Sequence, residues 1–294
     1  MLDAGCCMAI TIDATEVPLA ALQQPDCALA LITGTEGSAY RPVGAGMVIA
    51  ADGSCTGTLS SGCIERDVVR HALAALATGQ GTRLRYGRGS PFFDLKLPCG
   101  GGLDVTILPR PDRVAVAAAR SQIVRRTAAR LRLQAQGVAP IELHLLPPIR
   151  FAILGSGPEP VALARLAQAA GYALTCATPD GETAAQLPNC LEMAAAAWPA
   201  ALVLDDRTAV TLFFHDHDRE PPLLAHALAS PAFYVGAQGS RRAAEQRDAT
   251  LAERGVPALQ IARLRRPFGS FPSARNPRAL AVSVMADVLA TAPA

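Results

Sequence analysis

One stretch constrains this chain more than any other: "RFAILGSGPEPVALARLAQAAGYALTCATPD", residues 150–180. An apolar run ends at Gly155-Ser156-Gly157, an amphipathic helix pattern follows, and a second apolar run closes at Thr178. Strand, glycine turn, helix and strand in that order open a βαβ unit and hence a mostly parallel sheet. Gly155 and Gly157 stand where the first two glycines of G-x-G-x-x-G belong, but Pro160 takes the third place and Pro158 also intrudes. Prolines are tolerated in a first helical turn, so the fold survives them. The acid that would hold a ribose belongs about twenty residues on. Thr178-Pro179-Asp180 stands there instead. The pattern is therefore Rossmann-like, without support for NAD.

The 294 residues suggest about two domains. "AVTLFF", "PPLLAHALAS", "AFYVGAQGSRRAAEQRDATLAERG" and the closing "NPRALAVSVMADVLATA" continue the strand and helix alternation, giving a Rossmann-like domain over 149–294. Upstream, "CALALIT" and "MVIAA" read as strands, and Asp52-Gly53 before "CTGTLS" is a hairpin signal. "IERDVVRHALAALATG" puts Val68, Val69, Ala72, Leu73 and Leu76 on one helical face and stops at Gly79. "TRLRYG", "FFDLKLP" and "LDVTILP" read as extended. The expectation is a small N-terminal α/β domain over 1–111. Residues 112–136 read as a helix with a basic outer face, so 112–148 is expected to be a helical connector ending at Pro147-Pro148.

Half the residues are hydrophobic and the formal net charge is +2, which gives no basic face for nucleic acid. No apolar run is long enough to cross a bilayer, and the N-terminus lacks the basic start of a signal peptide. A cytoplasmic protein is expected. Eight cysteines without a CxxC pair argue against a disulfide framework or zinc finger, and leave most of them as free, buried thiols. Lys96 is the only lysine, so no Walker A loop exists.

Four places could carry chemistry. Cys63, in "SSGCIERDVV", follows Gly62 and precedes a helix, where unpaired N–H groups and the helix dipole would favour a thiolate or an anion. A cysteine packed at a strand-helix junction is the alternative. Cys99, in "LPCGGGLDV", precedes Gly100 and Gly101, which make either an anion-binding concavity or a plain turn. His215 and His217 in "HDHDRE" make either a metal-binding pair or a polar loop. Arg241 and Arg242 open a helix after "VGAQGS", where cations sit badly unless an anion is near.

In order, "TGTEGSAYRPVGAGMVI", "GTLSSGCIERDVV", "LPCGGGLDV", "FAILGSGPEPVALARLA", "HDHDRE", "FYVGAQGSRR" and "NPRALAVSVMADVLA" resemble the XdhC/CoxI family of accessory factors for xanthine dehydrogenase and related molybdenum hydroxylases. The resemblance implies a chaperone rather than a turnover enzyme. Such a chaperone binds molybdenum cofactor, as molybdopterin or a dinucleotide form, and supports its sulfuration by a cysteine desulfurase. It then delivers the cofactor to an apo molybdenum hydroxylase. The resemblance further implies that Cys63 and Cys99 are the motif cysteines, in contact with molybdenum, and that Arg41, Gly62, Gly100, Gly101, Gly155, Gly157 and Arg241 hold the rest of the cofactor. A homodimer is compatible with it, and no nucleic acid or membrane partner is expected. Ser61 stands in place of the first glycine of the family's Ser-Gly-Gly-Cys, and Thr178 in place of its strand-end Asp. Two other readings are an NAD(P)- or nucleotide-dependent oxidoreductase using the Rossmann unit, and a thiol redox protein using Cys63 and Cys99.

Overall fold

The computed structural model describes residues 7–62, 64–90, 100–194, 196–271 and 276–293, with His217 described by its backbone alone. Cys63 and Cys99 therefore lie outside the described residues, as does the extended segment expected at 92–98. The chain divides into two compact units, residues 1–147 and 148–294.

In the first unit, β1 (Met8–Asp13) is followed by β2 (Cys27–Glu36), β3 (Gly46–Ala50), β4 (Cys55–Gly57), α1 (Glu65–Thr78), β5 (Thr82–Gly87), β6 (Gly102–Pro109), α2 (Arg113–Val124), β7 (Ala129–Leu133) and β8 (Ile141–Leu146). An antiparallel sheet runs β4-β3-β2-β6-β5, and a second sheet runs β1-β8-β7. Strand β2 lies inside the larger sheet, and both its faces are covered. Ala28, Ala30 and Ile32 pack with Val68, Ala72 and Leu76 of α1. Leu29 and Leu31 pack with the smaller sheet and α2. This is why "CALALI" is continuously apolar instead of alternating. Helix α1 ends where Gly79 adopts φ +73° and donates its N–H to the Ala75 carbonyl. Its buried side is Val68, Ala72, Ala75 and Leu76, whereas Leu73 is exposed. The fully buried Tyr86 ties β5 to α1 by donating its hydroxyl to Asp67 Oδ2 at 2.7 Å.

The expected connector at 112–148 is corrected. Asp112 caps α2, which stops at Val124, and two strands follow. "ARLRL" buries Ala129, Leu131 and Leu133 while its arginines point outward, a two-residue period that only a strand satisfies. Strand β8 pairs antiparallel with β7 and parallel with β1, closing the first unit's second sheet.

The second unit holds β9 (Arg150–Gly155), α3 (Pro158–Ala169), β10 (Ala173–Thr178), α4 (Gly181–Ala184), β11 (Cys190–Glu192), β12 (Thr208–Phe213), α5 (Glu220–Ala229), β13 (Tyr234–Ala237), α6 (Arg241–Glu253), α7 (Ala258–Ile261) and α8 (Pro277–Thr291). Its sheet is wholly parallel, in the order β11-β10-β9-β12-β13. Helices α3 and α8 cover one face, and α5 and α6 the other. The order reverses between β9 and β12, so the carboxyl ends of those two strands face the crevice where such sheets hold ligands. Among the described residues no helix is long and apolar enough to cross a membrane.

Candidate functional site

Register places three loops of the first unit at one edge of the five-stranded sheet. Glu36 at the end of β2 pairs with Gly102 at the start of β6, which also pairs with Gly87 at the end of β5. Leu31 pairs with Gly46 at the start of β3, and Met47 pairs with Gly57 at the end of β4. Segments 37–45, 58–64 and 88–101 therefore all leave from this edge. It carries Arg41, Gly62, Ile64, Gly100 and Gly101.

The turn before α1 is organised by a residue that the sequence did not single out. The carboxylate of Glu65 accepts from Thr58 Oγ1 (2.7 Å), Leu59 N (3.1 Å) and Ser60 N (2.8 Å) through Oε1. Through Oε2 it accepts from Ser60 Oγ (2.8 Å), Gly62 N (2.9 Å) and Ile64 N (3.1 Å). Burial alone would raise this carboxyl's pKa, but the bonds from Ser60 N–H, Thr58 and Ser60 hydroxyls outweigh it and hold it at about 2. The expectation of free N–H groups before an outside anion is thus corrected at Gly62 and Ile64. The Gly62 and Ile64 N–H groups already serve the chain's own carboxylate.

Ser61 has φ +60°. A side chain there is strained by about 1 kcal/mol. Ser61→Gly is expected to raise stability by about 0.5–1 kcal/mol, part of the relief being lost to the freer unfolded chain. Urea denaturation checks it.

Gly101 and Gly102 serve close packing. A Cβ on Gly101 would lie 2.5 Å from the Ser38 carbonyl oxygen and 2.8 Å from that of Glu36. One on Gly102 would strike the Arg85 guanidinium, which pairs with Glu36 and Asp104. Gly100 has φ +68° with open space before it, and Gly62 faces open space too. Arg41 pairs with Glu16 at 2.6 Å, while its Nε is buried without a hydrogen-bond partner. An orphaned donor and two open glycines on one edge leave room for an anionic ligand.

The second unit's glycine turn suits a dinucleotide less well. Gly155 is required because a Cβ would strike the Phe213 carbonyl of the neighbouring strand. Gly157, at φ +96°, donates its N–H to Thr183 Oγ1 at 2.9 Å. Thr178 is buried and lies 3.3 Å from Ser156 through its hydroxyl. Asp180, the displaced acid, caps α4 by accepting from Thr183 N at 2.8 Å, and these Thr183 bonds hold its pKa down. Glu159 Oε2 is buried beside the turn, 3.7 Å from His215 Nε2. A carboxylate there opposes a diphosphate. Among the described residues no group of three His, Cys, Asp or Glu is placed to hold a metal.

Arg241 is 95% exposed, pairs with Glu245 at 3.2 Å and opens a helix capped by Ser240. It borders a cavity of about 810 Å³ lined also by Gln238, Arg265, Arg266 and Phe268. Beside it is a second feature that the sequence did not disclose. Arg247 and Glu220, 4% and 0% exposed, pair at 2.7 Å. Arg247 also donates to the Gln238 carbonyl at 2.7 Å, so it ties the loop after β13 to the start of α5.

The sequence of this chain is 34% identical to the molybdenum cofactor insertion chaperone PaoD of Escherichia coli K12 over 275 residues, which is 88% of this chain and 81% of that one. The chain belongs to the XdhC and CoxI family. The family's own pattern matches residues 20–87, and that of the XdhC Rossmann domain matches 151–288. YqeB of E. coli K12, an uncharacterised protein, is 27% identical over 92% of this chain but only 44% of its own length. The crystal structure of a xanthine dehydrogenase from Bacillus halodurans shares the fold, with TM-score 0.75, 19% identity and 95% of each chain covered. In this XdhC/CoxI chain the described cysteines 7, 27, 55, 176 and 190 are free thiols. Cys27 and Cys176 are buried as expected of small apolar residues, whereas Cys7 and Cys55 are exposed.

Proposed function

We propose that this protein is a molybdenum cofactor chaperone. In this reading it binds the cofactor at the loop edge of its first unit, supports its sulfuration together with a cysteine desulfurase, and hands it to an apo molybdenum hydroxylase in the cytoplasm. One observation carries the reading: the segments bearing the three family motifs leave the same sheet edge, where Arg41 Nε lacks a partner and Gly62 and Gly100 face open space. Arg41 would take the phosphate, a planar fork suited to it. Gly62 and Gly100 would admit the flat pterin, and Cys63 and Cys99 would supply thiolates to its metal end. When bound, the cofactor supplies the dithiolene-held molybdenum centre that the hydroxylase uses. Gly155, Gly157 and Arg241 would serve the nucleotide of a dinucleotide form. Glu159 beside that turn favours the nucleotide-free form instead.

The test is anaerobic incubation of the purified protein with molybdenum cofactor, followed by desalting. Co-eluting molybdenum and the fluorescence of the oxidised pterin are then measured. Near-stoichiometric retention is expected, and Cys63→Ala or Cys99→Ala should lower it about tenfold. Retention unchanged in both variants removes the thiolate roles. No retention by the wild type, with NADP bound in its place, moves the protein to the oxidoreductase reading.

A further inference from the structure

We infer that Glu65 is the positioning residue of the cofactor edge: its carboxylate, by taking six donors from residues 58–64, fixes the backbone on both sides of Cys63 before any ligand arrives. This rests on the cofactor-binding reading for its purpose, but not for its geometry. An acid in a first helical turn ordinarily faces solvent and interacts with the helix dipole. Glu65 instead turns back over the loop. Its two oxygens receive four backbone N–H groups and two hydroxyls, which is the full accepting capacity of a carboxylate and more. Helix α1 has no side-chain cap at Ile64, and this carboxylate takes the Ile64 N–H from inside the helix.

Two consequences follow for ligand binding. The N–H groups of Gly62 and Ile64 are already taken by a group of the chain itself, so a phosphate does not find them free. Residues 58–62 and Ile64 are also held by hydrogen bonds from within the chain. A preordered loop loses less conformational freedom on binding, which favours affinity. The donors are arranged so that only an acceptor with two equivalent oxygens serves them. Ser60 contributes twice, through N–H to Oε1 and hydroxyl to Oε2. A carboxamide would turn one oxygen into an NH₂ that faces donors.

Glu65→Gln is therefore the informative variant, with Ser60→Ala as a milder one that removes a single hydroxyl. Both are compared with wild type by amide hydrogen exchange resolved to peptides and by retention of molybdenum cofactor after desalting. The expected result for Glu65→Gln is at least tenfold faster exchange across 58–64, with exchange in β6 and the second unit unchanged, and retention lowered about tenfold. Ser60→Ala should move both readouts the same way by a smaller factor. Should Glu65→Gln fail to fold, Ser60→Ala decides alone by the same pair of readouts. Fast exchange with wild-type retention would overturn the proposal, since Glu65 would then be merely structural. Unchanged exchange would overturn it as well. If wild-type protein itself retains no cofactor, the binding reading fails, and the exchange measurement still decides whether Glu65 holds the loop.

Discussion

Arg247→Met is expected to destabilise the second unit by about 3–5 kcal/mol, the cost of leaving a buried carboxylate without its cation. Glu220 is fully buried and Arg247 nearly so, and their charges meet at 2.7 Å. Methionine matches the arginine stem in volume, so the loss measures charge and hydrogen bonding more than packing. The guanidinium also bonds the Gln238 carbonyl, so the variant frees the loop after β13 at the same time. Arg247→Lys should recover little, because one ammonium cannot reach both acceptors with the planar fork's geometry. The double variant Arg247→Met with Glu220→Gln should be more stable than Arg247→Met alone, since its remaining buried group is neutral. The measurement is convenient. The chain has one tryptophan, Trp198, stacked on His226 of α5 in this same unit, so its fluorescence during urea denaturation reports the unit directly. A loss below about 1 kcal/mol would mean that water reaches Glu220 once the arginine is gone.

The Arg247 pair also marks where sequence reasoning ends. Arg247 lies in "RRAAEQRDATLAE", where Ala244 and Leu251 mark an inner face but nothing in the string says that a charge on that face is buried. Its burial is created by α5, twenty-seven positions earlier in the chain, packing against α6. By contrast, the doubly wound sheet was legible from one glycine turn set between a strand and a helix. That pattern is local, and each part of it has a steric cause: at Gly155, a Cβ would strike Phe213. Helix α1 was legible for the same kind of reason, with an apolar face and a glycine that takes positive φ at its end.

Within 112–148 the expected helix forms over Arg113–Val124, but the neighbourhood of the two strands beyond it hides them. Alanine and arginine are good helix formers, and five residues of "ARLRL" are too few to separate a period of two from one of 3.6. What makes them a strand is pairing with β8, which in turn pairs with residues 8–13 at the other end of the unit. Tertiary partners override local propensity there. At the site, a glycine and a cysteine before a helix read either as a place for an anion or as a packed junction. Glu65, two residues on, carries no mark in the sequence that singles it out. Sequence alone does not distinguish a carboxylate that faces solvent from one that folds back over six donors.

Gly101→Ala is expected to destabilise the first unit by about 2–3 kcal/mol and to lower cofactor retention with it, although alanine keeps the same N–H donor. That distinction is the point of the experiment. If "CGGG" were only an anion-binding turn, what matters at 101 would be its amide, and a methyl group would be tolerated. The structure gives a different reason. The added Cβ would sit 2.5 Å from the Ser38 carbonyl oxygen and 2.8 Å from that of Glu36, and neither backbone atom can swing aside as a side chain could. Strands β2 and β6, which pair at Glu36 and Gly102, would have to part at the edge where the loops converge. Gly100→Ala makes the contrast, since Gly100 faces open space and its alanine variant is charged only with the φ of +68°, about 1 kcal/mol. Amide exchange in β2 and β6 reads the difference: markedly faster in Gly101→Ala, near wild type in Gly100→Ala. Equal, small effects in both would return these glycines to the simpler role of a turn.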